Sequence, residues 1–507
     1  MSFITFDFFI FLGVSLIGYF FLVPKKYQWV FLLAISYAFY AFAGWKLLLY
    51  MLFTTAAVFL CALWLSKAKR FKKWIAALAL LSNFGLLALF KWYNALAALG
   101  NRIICASPGV SINIPSLSLL LPLGISFYTF QAAGYLIDVY RGKIKPERNL
   151  ARFALFVSFF PQLVQGPISR HSELADQLYS SRRFDYVEAR RGFQLIIWGL
   201  FKKIVIADRI ALITDTIFGD LYTYTGLYVL IGAVFSSIRL YADFSGGVDV
   251  ARGVAQVFGI NMPQNFRRPY FADSLTDFWR RWHISLNDWW RDYVFYPIVL
   301  SKFISRISKF ARKHISRGFG KVIGVYVAVF LVRIINAMWH GAELFYVARG
   351  LFDGVFLVLG LALAPLFVKT AKALHINTDC FSWKLFRIIR TFIAVSLARV
   401  FIDAGSTRGG AAALLSIVNV FNPWILRFDT VSSLGLPSRD IWIIAISLCL
   451  LLSVGILQEK GISIRKTLEK QNIVFQWVVL LGGMVALVLW GKYGFNYDPA
   501  GFAYEGF

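Results

Sequence analysis

The sequence predicts an all-α, polytopic membrane protein, and three observations predict it. The 507 residues are 59% hydrophobic and 18% aromatic, above the apolar share of ordinary soluble domains. Apolar stretches of about 17 to 25 residues, the length that crosses a bilayer as a helix, recur along the whole chain. The cations collect in particular gaps between those stretches instead of being spread evenly.

Taken in order, the apolar stretches fall at roughly 3–23, 28–43, 47–65, 74–90, 117–138, 193–218, 226–243, 322–338, 351–368, 388–403, 440–457 and 473–490, about twelve crossings. Asp7 stands where a signal peptide would carry basic residues, so the first stretch reads as a retained span. The formal charge is +27, and its main basic windows are 67–73, 141–152 and 302–321. The positive-inside rule makes those loops cytoplasmic. Counting spans outward puts Lys25-Lys26, Lys369-Lys372 and Arg465-Lys466 on the same side and both termini outside. Topology and attraction to anionic lipid thus account for the charge, and nucleic acid is not an expected partner. Lys202-Lys203 is the exception, since it falls inside the sixth stretch.

Cys61, Cys105, Cys380 and Cys449 are too scattered for a disulfide framework or a metal knuckle. There is no repeat of fixed period and no linker, so residues 1–507 read as one membrane domain. Its longest outer stretch, about 404–439, is rich in Gly, Ser and Asp and is suited to an extracytoplasmic partner.

Two segments break the pattern. Between Pro161 and Pro167 lie Gln162, Gln165 and Gly166, within an apolar run too short to span. Such backbone is tolerated at membrane depth where protein buries it or where it lines a water-filled cavity. Ser126, Tyr128, Gln131 and Tyr135 of the preceding stretch are set to hydrogen-bond between helices. The second segment, 277–297, mixes eight aromatic residues with six Asp or Arg, which suits an interfacial or re-entrant helix. Read as one helix, it places Arg280, His283 and Asn287 on one face.

The run KVIGVYVAVFLVRIINAMWHG (321–341) ends an apolar span on His340. An ionisable group there is costly and usually functional. Arg333 and Asn336 precede it by seven and four residues, so the three share a polar helix face, and Val325, Val327, Val329, Phe330 and Leu331 make up the apolar, lipid-facing remainder.

These residues resemble the membrane-bound O-acyltransferases, within them the bacterial branch of alginate O-acetyltransferase subunits, peptidoglycan O-acetyltransferases and the teichoic-acid D-alanyl transferase. The resemblance runs through LPLGISFYTFQAAGYLIDVYRG (121–142), FFPQLVQGPISR (159–170), YADFSGGVDVARGVAQVFGI (241–260), PQNFRRPYF (263–271), FWRRWHISLNDWWRDYVFYP (278–297) and MWHGAELFYVARG (338–350), strongest over about 120–350, and less closely through YGFNYDPAGFAYEGF (493–507). It implies a ring of tilted helices around a thin centre, where a tunnel joins a cytoplasmic donor entrance to an extracytoplasmic acceptor funnel. It also implies a bacterial inner (cytoplasmic) membrane location, His340 as the essential histidine of the WHG motif, and His283 as a second. The chain departs from alginate-type relatives after FYPI, where VLSKFISRISKFARKH replaces a glycine-rich stretch, and at NAM before the histidine.

Acyl transfer from a thioester to a sugar hydroxyl needs a base, and a neutral imidazole suits it, so His340 is the candidate general base. Asn336 is placed to orient that imidazole, to donate to a developing oxyanion, or simply to bond another span. His283 is a candidate for positioning the donor or relaying a proton. No GxSxG, HExxH or Ser-His-Asp order supports a serine hydrolase or a metal enzyme. The expected function is O-acetylation of a secreted or cell-wall polysaccharide. The expected donor is acetyl-CoA or an acyl-carrier thioester, with no tightly bound cofactor and with an extracytoplasmic acyltransferase partner. D-alanyl transfer to teichoic acid is the nearest alternative, and a transporter or channel the alternative of another class.

Overall fold

In the computed structural model, residues 2–105, 113–118, 120–427 and 434–493 are described, and every regular element among them is helical. Among the described residues, seven helices are long and apolar enough to cross a membrane: Trp45–Lys67, Lys72–Cys105, Leu227–Val257, Arg317–His340, Leu344–Ala373, Ser438–Glu459 and Ile473–Trp490. Phe6–Leu22 is a shorter apolar helix. The other expected stretches are also helical, but shorter, more polar or interrupted. Gln28–Ala43 and Ile125–Tyr140 are helices of 16 residues. Phe381–Asp403 carries Lys384, Arg387, Arg390 and Arg399. The 193–218 stretch is interrupted by a π-helical turn over Phe201–Ala207. The terminal 494–507 part of the YGFNYDPAGFAYEGF motif lies outside the described residues, as does part of the 404–439 stretch.

The chain falls into two compact units that alternate along the sequence. The first comprises Met1–Lys203, Asp243–Pro263 and Leu468–Phe507; the second comprises Ile204–Ala242 and Gln264–Thr467.

In the first unit the segment 153–169 is buried throughout, which meets the condition for broken backbone at membrane depth. Helix Leu150–Ser158 begins on Asn149, whose side chain accepts from the amides of Ala151 and Arg152. It stops at Phe159, a turn follows over Phe160–Gln165, and extended backbone leads to His171–Tyr179. Gln131 ties the break together, donating to the Phe156 carbonyl at 2.8 Å and to Gln162 Oε1 at 3.1 Å. Gln162 in turn donates to Ser169 Oγ at 2.6 Å.

Helix Tyr186–Leu200 meets the 243–257 part of Leu227–Val257 through facing glycines. A Cβ on Gly199 would lie 2.5 Å from the Gly246 carbonyl oxygen, and one on Gly192 would lie 2.7 Å from that of Gly253. Small residues at this spacing let two backbones touch. Just beyond Gly199 the π-helical turn carries Lys202 and Lys203, both 2% exposed. Lys202 Nζ reaches Asp249 at 2.7 Å and Ser245 at 2.8 Å, and Lys203 Nζ reaches Asp243 at 2.7 Å. Buried charge survives only when paired, so the two lysines that break the apolar pattern are balanced by two aspartates of the YADFSGGVDVARG motif.

In the second unit, helices Lys302–His314 and Arg317–His340 form a hairpin. Gly320 and Gly324 let them touch, since a Cβ would lie 2.7 Å from the Arg312 backbone nitrogen and from Ile304 Cγ2 respectively. Farther along, Ala337 and Arg333 of the second helix meet Gly350 and Gly354 of Leu344–Ala373.

Candidate active site

Helix Arg317–His340 runs unbroken to its last residue, so Arg333, Asn336 and His340 do share one face. Arg333 is buried, whereas Asn336 and His340 are half-buried. The imidazole of His340 lies 4.7 Å from the ring of Trp339, and the ring of Tyr346 is nearly parallel to it at 5.9 Å, with 20° between planes. Gly341 makes this arrangement possible: a Cβ there would sit 2.4 Å from Glu343 Oε2 and 2.6 Å from Tyr346 Cε2. The glycine of WHG is therefore the space that Tyr346 and Glu343 occupy beside the histidine.

The segment around His283 corrects the expectation of one continuous helix. Helix Leu275–Arg281 ends, Trp282 is extended, and His283 takes a left-handed conformation (φ 45°, ψ 56°) before helix Ile284–Trp290 begins. A left-handed non-glycine residue needs support from its surroundings. Asn265 supplies it. Its carbonyl accepts from the Ile284 amide at 2.9 Å, and its Oδ1 accepts from the Ser285 amide at 3.0 Å and from Ser285 Oγ at 2.9 Å.

The same Oδ1 lies 3.3 Å from His283 Nδ1. The Ser285 amide is only a donor, which fixes Oδ1 as the acceptor there. Nδ1 then carries the proton and Nε2 the basic lone pair. His283 is 3% exposed, and burial pushes its pKa down to about 3, so the imidazole is neutral near pH 7.

Asn287 joins the two motifs. Its Nδ2 donates to the carbonyls of Trp282 at 2.6 Å and His283 at 3.2 Å, while its Oδ1 accepts from Arg333 Nη2 at 3.1 Å. The Arg333 guanidinium also lies over the Trp279 ring, 4.3 Å from its centroid. A cavity of about 190 Å³ opens beside this junction, lined by Asn287, Trp290, Phe295, Val332, Arg333 and Leu357 among others. Arg333, Asn287 and His283 are thus brought together, and His340 lies two turns along the helix, about 10 Å from Arg333 by the helical rise.

Asn336 makes no hydrogen bond to His340. Its Oδ1 is buried and accepts none among the described residues, so it is an acceptor in want of a donor. Sequence reasoning missed Asn265, although the motif PQNFRRPYF contains it, and missed Tyr346 and Glu343, which the run after WHG displays.

Among the described residues every regular element is helical and seven helices are long and apolar enough to cross a membrane, the make-up of an integral, multi-pass membrane protein, and His283 and His340 each stand at a helix end beside aromatic rings. The chain belongs to the membrane-bound O-acyltransferase family, whose profile matches residues 147–402, and it is an acyltransferase. It is 33% identical over 398 residues to a probable alginate O-acetylase of Pseudomonas syringae pv. tomato, covering 77% of this chain and 70% of that protein. It is 30% identical over 445 residues to the peptidoglycan O-acetyltransferase of Helicobacter pylori, covering 81% and 78%. With the teichoic acid D-alanyltransferase of Streptococcus thermophilus it shares 30% identity over 248 residues, 48% of this chain and 57% of the relative.

Proposed function

We propose that this protein is an O-acetyltransferase. It takes an acetyl group from a cytoplasmic thioester, acetyl-CoA, and passes it across the bacterial inner membrane to hydroxyls of a secreted or cell-wall polysaccharide. The observation that carries the reading is extent: similarity to proteins named for O-acetylation covers 77% and 81% of this chain, and similarity to the D-alanyltransferase covers 48%.

In this reading His340 Nε2 or Nδ1 takes the hydroxyl proton as the sugar oxygen attacks the thioester carbonyl. The carbon–sulfur bond breaks, and the imidazolium returns the proton to the leaving thiolate. The half burial of His340 at a helix end leaves part of the residue exposed, which supports the role. For His283, full burial and a pKa near 3 make an imidazolium intermediate costly, so positioning of the donor fits better than proton relay. The buried, unbonded Oδ1 of Asn336 is suited to accept from an acceptor hydroxyl near the base.

The reading includes about twelve crossings arranged as a ring around a thin centre, with a tunnel from donor entrance to acceptor funnel. It includes no tightly bound cofactor, and an extracytoplasmic acyltransferase as a partner. An acyl carrier in place of CoA belongs to the D-alanyl alternative.

The test is to release ester-linked acyl groups from cell polysaccharide by mild alkali and weigh them, in a deletion strain complemented with wild type or His340→Ala. Acetate restored by wild type alone supports the reading. D-alanine moves the protein to teichoic acid, and restoration by the variant removes His340 from the chemistry.

A further inference from the structure

The hairpin of Lys302–His314 and the start of Arg317–His340 presents a feature outside the candidate active site. A cavity of about 500 Å³ is lined by Lys309, Arg312 and Lys313 from the first helix and Arg317 and Lys321 from the second. All five side chains are exposed, and no carboxylate among the described residues pairs with any of them. The first helix has 13 residues, about 20 Å by the helical rise, too short to cross a bilayer.

Its three faces are distinct. Ile304 and Ala311 are buried, and Gly324 and Gly320 of the second helix let the two helices pack closely. Phe303 and Phe310, seven residues apart and so in line, are exposed, as is Ile315. Arg306, Lys309 and Lys313 form the remaining strip.

We infer that this hairpin binds the phosphate headgroup of an anionic membrane lipid. A free phosphate compound would satisfy the cations and leave Phe303, Phe310 and Ile315 in water. A lipid satisfies both, its phosphate among the five cations and its acyl region against the rings. The basic window 302–321 is also cytoplasmic by the positive-inside rule, facing the leaflet that carries anionic lipid. The inference stands apart from the acetyltransferase reading, since it rests on no residue of the candidate active site.

The test uses the full chain purified in neutral detergent and titrated with phosphatidylglycerol or phosphatidylcholine, read by native mass spectrometry. Phosphatidylglycerol is expected to bind at least tenfold more tightly. The triple variant Lys309→Gln, Lys313→Gln, Arg317→Gln is expected to lose about a hundredfold, roughly fivefold per charge. A Lys309→Arg, Lys313→Arg variant retains the affinity, and Phe303→Ser with Phe310→Ser weakens it several-fold. Helix content and elution volume show that each variant is folded, as expected for exposed, unpaired positions.

Equal affinity for the two lipids overturns the inference, and so does a triple variant that binds like wild type. Glycerol 3-phosphate displacing the lipid at equal concentration, with the serine variants unchanged, shows a soluble-phosphate site instead. A polyaspartate peptide that outcompetes phosphatidylglycerol shows a site for an acidic protein.

Discussion

His283 and His340, both in the second unit, are held in opposite ways. His283 sits in a strained turn clamped by Asn265, Ser285 and Asn287, is buried, and is neutral near pH 7. His340 ends a straight helix between the rings of Trp339 and Tyr346, is half-buried, and depends on the absence of a side chain at Gly341. A group that must take up and release a proton needs access to substrate, whereas a group that must hold a shape needs the reverse. The proposed role of His340 in proton transfer calls for the first setting, and a holding role for His283 calls for the second.

The comparison breaks first at His340. His340→Ala is expected to lower acetyl transfer by about 10²- to 10⁴-fold, the usual worth of a positioned base, with the unfolding midpoint in detergent almost unchanged. A large loss of stability would make His340 structural and erase the contrast. Next comes Gly341→Ala. The added Cβ forces Tyr346 and Glu343 away from the imidazole, and a misplacement of about 1 Å is expected to cost up to about 10²-fold in turnover. Donor binding, measured by isothermal titration with acetyl-CoA, is expected to stay within about twofold, since the displaced groups flank the base.

Much of the His340 side of this contrast is legible in the sequence. A long apolar run, a terminal WHG and the 3.6-residue period fix the helix and the face shared by Arg333, Asn336 and His340. The His283 side is not legible. Nothing between Arg280 and Asn287 is Gly or Pro, so no local signal marks the break. The left-handed turn is stabilised from Asn265, 18 residues earlier, and through Asn287 from Arg333, 46 residues later. The same holds for Lys202 and Lys203. Their charge is visible at once, but the partners Asp249 and Asp243 become partners only when Gly199 and Gly246 bring two helices together.

A smaller effect separates the histidines by pH. Below about 6.5 the unfolded chain protonates its histidines, while folded His283 resists protonation down to about 3. The unfolded state therefore binds more protons in this window. The contribution of His283 to stability is complete above about pH 6.5 and is lost as pH falls, by about 2 kcal/mol at pH 5. Unfolding midpoints followed by tryptophan fluorescence at pH 7 and 5 are expected to fall farther for wild type than for His283→Gln. Equal falls would mean that the buried imidazole is not the group resisting protonation.

The smallest effects distinguish two asparagines that the sequence places near the two histidines. Asn287 makes three side-chain hydrogen bonds that join the His283 turn to Arg333, so Asn287→Ala leaves the Trp282 carbonyl and a buried guanidinium short of a partner, while the His283 carbonyl keeps the backbone amide of residue 287. About 1 to 3 kcal/mol of stability is expected to go with them, and activity to follow only as far as the turn is displaced. Asn336 has no hydrogen bond to lose through its Oδ1, so Asn336→Ala is expected to change the unfolding midpoint by no more than about 0.5 kcal/mol. If Asn336 meets the acceptor hydroxyl beside His340, the same substitution raises KM for the acceptor severalfold. A variant that unfolds early with KM unchanged would put Asn336 with Asn287, among the residues that hold the scaffold.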